Sequence, residues 1–196
     1  MNHLFLLVAF FATLVGQAQL SPLYVFEAPS PIQWQQVTTT GTYLVQTDAA
    51  LQAVDPTTGE IIWANKDLLI PTSDQVTEIP GSSLLMIQDE TATTIVDPFS
   101  GKVVYNTAAA SIAELTYEKV LYASNTLLVA GKNQAGDVLL QMIDLNTGTQ
   151  LWDMTDNVGK VIHADAFSAE ECLIVTLFTV YRVNTATGAV IWENAT

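Results

Sequence analysis

The chain has 196 residues, 49% of them hydrophobic, with a formal net charge of −14. It is long and apolar enough to bury one sizeable core, which excludes intrinsic disorder despite the charge. The six basic residues (Lys66, Lys102, Lys119, Lys132, Lys160 and Arg182) stand singly, so no basic stripe exists for nucleic acid or an anionic membrane surface.

The first predicted element is an apolar run of twelve positions, Leu4 to Val15. A bilayer span needs about 20 residues, so the run is too short to cross. It ends at Gly16-Gln17-Ala18, a small-x-small pattern open to a signal peptidase, although Met1-Asn2-His3 supplies no Lys or Arg. We therefore expect a signal peptide over 1–18, a lead-in over 19–29 and one repeat domain over 30–196. The chain is expected to be exported to a periplasm, outer envelope or extracellular space, with a bacterial host favoured. No second long apolar run follows, so no membrane span is expected in the mature part.

Next come four units of one design. In the first, strands Tyr43-Leu44-Val45 and Leu51 to Val54 lead to a turn, Asp55-Pro-Thr-Thr-Gly59, and a strand ending at Trp63. The second has strands Leu84 to Ile87 and Thr93 to Val96, the turn Asp97-Pro-Phe-Ser-Gly101, and Tyr105. After it, Ala108 to Leu115 reads as a helical turn or loop. The third has strands Leu127 to Val129 and Leu139 to Ile143, the turn Asp144-Leu-Asn-Thr-Gly148, and Trp152. The fourth has strands Leu173 to Val175 and Val180 to Val183, the turn Asn184-Thr-Ala-Thr-Gly188, and Trp192. The four glycines are spaced by 42, 47 and 40 residues.

Each position has a physical task. Asp or Asn accepts hydrogen bonds from backbone N–H groups just ahead and nucleates a turn. Glycine closes it at a φ that other residues resist. The runs Ile61-Ile62-Trp63 and Val103-Val104-Tyr105 are apolar on both faces, so these strands are expected to be covered on both sides. One period holds about four strands, the size of a propeller blade. A sandwich would not repeat one turn-plus-aromatic signature four times. The expected fold is an all-β propeller with about four blades, partial or open. An unclosed end would leave a sheet face as a surface for self-association.

The segment Ala53-Val-Asp55-Pro-Thr-Thr-Gly59-Glu-Ile-Ile-Trp63 resembles the tryptophan-docking motif of the pyrroloquinoline quinone (PQQ) propeller repeats. That family includes quinoprotein alcohol dehydrogenases and non-enzymatic relatives such as an outer-membrane assembly lipoprotein. Later copies diverge: Ile95, Met142 and Arg182 replace the alanine, Tyr105 a Trp, and Asn184 an Asp. The resemblance covers roughly residues 30–196 and implies that Trp63, Tyr105, Trp152 and Trp192 lock neighbouring blades. It also implies more blades than these four, and a fragment is the favoured reading. The enzymatic relatives bind PQQ with adjacent half-cystines, a stacking Trp, Arg and Glu contacts and Ca²⁺, and use a catalytic Asp. None of these can be carried over residue by residue, since Cys172 is the only cysteine and Arg182 the only arginine.

Other chemistry-bearing residues point the same way. Cys172 lies in the apolar run Cys172-Leu-Ile-Val175 and reads as a buried structural thiol. His163 and Asp165 share one strand face, but further ligands for a metal are not evident. Asp89-Glu90 and Glu170-Glu171 read as solvated loop acids. Asn194-Ala195-Thr196 is a formal glycosylation sequon, relevant only in a eukaryotic secretory host. We expect no cofactor, no metal and no catalysis. The function expected is a binding or protein-interaction scaffold; the alternatives are a fragment of a larger quinoprotein-like dehydrogenase and a luminal propeller of a eukaryotic secretory pathway.

Overall fold

The structure, a computed structural model, describes residues 25–89, 92–155 and 159–195. The proposed signal peptide, Glu90 and Thr196 lie outside these residues. The apolar runs form strands that pair with their sequence neighbours, giving four sheets of four antiparallel strands. The first sheet holds β1 (Ile32–Val37), β2 (Tyr43–Thr47), β3 (Leu51–Val54) and β4 (Ile61–Asn65). The second holds β5 (Val76–Glu78), β6 (Leu85–Gln88), β7 (Thr93–Val96) and β8 (Val103–Asn106). The third holds β9 (Glu114–Leu121), β10 (Thr126–Lys132), β11 (Val138–Asp144) and β12 (Gln150–Met154). The fourth holds β13 (Val161–Ala166), β14 (Glu171–Thr176), β15 (Thr179–Asn184) and β16 (Val190–Ala195). A 3-10 turn, Ser73–Gln75, leads into β5.

Strand periodicity decides how these sheets stack. Successive side chains point to opposite faces, so a middle sheet must be apolar on both. On β10, Leu127 and Val129 join the core shared with the second sheet, while Leu128 and Ala130 join the core shared with the fourth. On β11, Ile143 faces back and Leu140 and Met142 face forward. The second sheet divides likewise: Leu85, Ile87 and Val96 pack toward the first sheet, Met86 and Ile95 toward the third. Three cores therefore lie between four sheets, the layered arrangement of a partial β-propeller. Every third-to-fourth strand pair carries a register shift at the same place, after Ala53, Ile95, Met142 and Arg182, just before the motif turn.

Two expectations are corrected. β4 is not covered on both sides: Ile61 is 43% and Ile62 57% exposed. The fourth strand is the edge of each sheet, with a neighbour on one side only, so little beyond its aromatic reaches the next core. β8 does meet both neighbours: Val103 packs against the core shared with the first sheet, and Val104 and Tyr105 against the core shared with the third. The stretch Ala108 to Leu115 is a turn only to Ala113, and β9 already takes Glu114 and Leu115. Among the described residues no helix is long and apolar enough to cross a membrane.

Candidate interaction surface

The four motif turns are superimposable in their bonding. Gly59, Gly101, Gly148 and Gly188 donate their N–H to the carbonyls of Asp55, Asp97, Asp144 and Asn184 at 2.8, 2.8, 2.7 and 2.9 Å. Their φ angles are 76°, 68°, 72° and 73°, the left-handed region that favours glycine. In each turn the Asp or Asn Oδ1 accepts the N–H two residues on: Thr57, Phe99, Asn146 and Ala186, at 2.7–3.1 Å. Hydrogen bonds from the Thr57 hydroxyl and N–H hold the Asp55 carboxyl below its ordinary pKa.

The second, third and fourth turns lie against the edge strand of the preceding sheet; the first has no preceding sheet among the described residues. The Trp63 indole donates to Pro98 O at 2.8 Å, and Asn65 Nδ2 donates to Gly101 O at 2.8 Å. A Cβ on Gly101 would stand 2.4 Å from the Trp63 ring, so this glycine makes room as well as turning the chain. Between the second and third sheets the Tyr105 hydroxyl donates to Gln141 Oε1 at 2.9 Å, and Val104 occupies the space beside Gly148. Burial, and secondarily the nearby Glu118 carboxylate, push the Tyr105 pKa up, so the hydroxyl keeps its proton and stays a donor. Between the third and fourth, Trp152 Nε1 donates to Thr185 O at 2.7 Å over Gly188. Trp192, at the matching place on β16, has no following turn among the described residues and is 42% exposed.

With these groups occupied between sheets, the outward groups are in the loops. The loops after β2, β6 and β10 share one end with those joining successive sheets. There, between the second and third sheets, lies a cavity of about 630 Å³. Ala92, Ala108, Ser111, Ile112, Asn133 and Gln134 line it: small groups, amides and one hydroxyl. Ser111 holds a φ of 68° at its rim, a conformation unusual outside glycine.

The remaining candidates are dispersed. Cys172 is fully buried, and desolvation pushes its thiol pKa up to about 11, leaving it unreactive at neutral pH. His163 and Asp165 are exposed on β13, and no three His, Cys, Asp or Glu side chains among the described residues gather to hold a metal. Arg182 pairs with Glu171 and lies 4.1 Å from the Phe167 ring centroid. Residues that sequence reasoning passed over include Gln141, whose polar type in an apolar run (Leu139-Leu-Gln-Met-Ile143) was the available signal. Asn65 is another, two places after a docking Trp.

Residues 47–196 match the PQQ-like repeat family described as outer membrane protein assembly factor BamB. The chain belongs to this family. Among solved structures it is similar to the crystal structure of BamB from Moraxella catarrhalis, with 14% identity and a TM-score of 0.29. That alignment covers 87% of this chain and 66% of the BamB chain, so this chain spans just under two thirds of that relative's length. No curated protein matches the chain.

Proposed function

We propose that this chain is an exported propeller module that holds protein partners rather than catalysing a reaction. The observation that carries the reading is the neutral cavity between the second and third sheets. Its Gln134 amide and Ser111 hydroxyl offer hydrogen bonds of the kind a partner's backbone needs. Its lining offers no paired titratable groups for proton transfer. Membership of a family described as an assembly factor supports a protein partner and an envelope location. In this reading residues 1–18 are a signal peptide, 19–29 a lead-in and 30–196 the repeat domain, with the motif aromatics serving the frame.

A titration with PQQ and Ca²⁺, followed by tryptophan fluorescence and thermal melting, tests it. The expected result is no saturable quenching and no calcium-dependent rise in Tm from a cooperatively melting protein. Saturable quenching with such a rise overturns the reading in favour of a quinoprotein-like dehydrogenase.

A further inference from the structure

The second and third sheets each pack against a neighbour on both faces, so the cavity between them is framed by packed sheets on either side. One of its walls, the loop over residues 107–113, is fixed from several directions. Gln141, itself only 4% exposed, donates Nε2 to Ala110 O at 3.1 Å. The other end of the same amide accepts the Tyr105 hydroxyl, so the wall is tied through Gln141 to the docking aromatic of the second sheet. Ile112 donates its N–H to Thr107 O at 2.9 Å, and Ala113 donates to Lys132 O at 2.7 Å. The Ile112 side chain is buried against Gly131, where a Cβ would stand 2.4 Å from its Cγ2. These bonds hold Ser111 at φ 68°, a left-handed conformation that a residue other than glycine keeps only where its surroundings impose it. Strain of this kind collects at sites that bind.

The chemistry inside the cavity differs from that around it. Ala92, Ala108 and Ala135 present methyl groups, and Ile112 forms a buried floor. Gln134 and Ser111 are exposed and bring an amide and a hydroxyl, whereas the Asn133 amide is already bonded to Asp137 at both ends. The volume of about 630 Å³ falls within the roughly 300–1,000 Å³ of ligand sites in general, room for a side chain and the backbone that carries it. Carboxylates border this uncharged interior. Asp89 Oδ1 accepts the Ala92 N–H at 2.8 Å, Asp137 Oδ2 accepts from Asn133 Nδ2 at 3.0 Å, and Glu114 follows Ala113. All three acids are exposed, and Lys132 stands among them, paired to Glu114 at 3.0 Å. Three carboxylates against that one ammonium leave the rim negative, in a chain whose net charge is −14. A negative rim around an apolar floor complements an occupant that carries cations on either side of an apolar group.

We propose that the cavity holds a polypeptide segment of a partner protein in which an aliphatic side chain is flanked by lysine or arginine. The aliphatic group rests on the alanine methyls and Ile112. The segment's backbone bonds to Gln134 and Ser111, and its flanking cations meet Asp89, Glu114 and Asp137. The inference rests on the scaffold reading and deepens it by giving the chemistry of the partner.

A nuclear magnetic resonance titration of the whole isotope-labelled chain with three capped heptapeptides tests it. The first peptide carries leucine between two lysines, the second leucine between two glutamates, and the third alanine between two lysines. The first is expected to shift the amides of Ala92, Ser111 and Gln134 saturably. The second is expected to bind about fivefold more weakly at low salt, with the gap closing at high salt as exposed charges are screened. The third is expected to bind about tenfold more weakly, through lost apolar burial. Ala135→Trp, in an exposed loop, fills the cavity and is expected to abolish binding of the first peptide. Gln134→Ala is expected to weaken it about fivefold, the loss of one hydrogen bond. A cooperatively melting chain whose amides do not shift with the first peptide overturns the inference, and leaves the scaffold reading to the cofactor titration. Binding that is as tight for the glutamate peptide, or that survives both Ala135→Trp and Gln134→Ala unchanged, overturns it too.

Discussion

Trp152 and Trp192 occupy the same place in two consecutive repeats, forty residues apart. Trp152 is 8% exposed, lies over Gly188 and donates to Thr185 O. Trp192 is 42% exposed and has no acceptor among the described residues. The difference is not in the residue or its strand, since both are paired in the same register, opposite Met142 and Arg182 respectively. It lies in what stands next. A docking motif is half of an interface, and it stabilises the fold only where a following turn supplies the other half. The facing positions show this as well: Met142 is fully buried in the third core, whereas Arg182, at the matching place, carries an ion pair with Glu171.

The sharpest way to break that comparison is to truncate both tryptophans. Trp152→Ala is expected to cost about 3–5 kcal/mol, because it empties a core position and strands a donor's acceptor. Trp192→Ala is expected to cost at most about 1 kcal/mol in dilute, unassociated protein. Urea melts of the two variants measure the gap; equal losses would mean that the face of the fourth sheet is as fully packed as the third core. Tyr105→Phe comes next. It keeps the ring in its core and removes only the hydroxyl that bonds Gln141, so a loss of about 1–2 kcal/mol is expected in the same assay, from the unsatisfied buried Oε1.

The smallest effect is electrostatic and belongs to a turn. Asp55 has a pKa held below its unfolded value by the Thr57 hydroxyl and N–H. Its stabilising contribution is therefore full above the unfolded carboxylate value of 3.8 and lost as pH falls through the lower folded value. Asp55→Asn is expected to flatten the Tm-versus-pH curve slightly at the acid end and leave neutral stability nearly unchanged. A variant curve parallel to the wild type throughout would show that the turn's bonds do not favour the charged form.

Several elements were legible before any coordinates. The second, third and fourth strands of each unit are short apolar runs beside an Asp-to-Gly turn, and local chemistry suffices to place them. The first strands were mostly not named. In β1, Ile32-Gln-Trp-Gln-Gln-Val37 alternates poorly and is partly exposed along its length, so hydrophobic pattern says little about it. The both-sided covering of β4 failed because an apolar tripeptide does not report whether its strand has one neighbour or two. The cavity could not be read at all: its lining comes from three loops that are up to 43 residues apart in sequence, from Ala92 to Ala135.

The sequence by itself determined the repeating unit, because a turn is set by contacts within six residues: an Asp or Asn acceptor, a glycine at positive φ and a strand on either side. It also marked strands with apolar side chains on both faces, such as Val103-Val104-Tyr105. Only the tertiary structure decided which of four near-equivalent aromatics is satisfied. That depends on a carbonyl roughly a blade away along the chain, such as Pro98 for Trp63 or Thr185 for Trp152, and its position is fixed by stacking sheets rather than by any local bond.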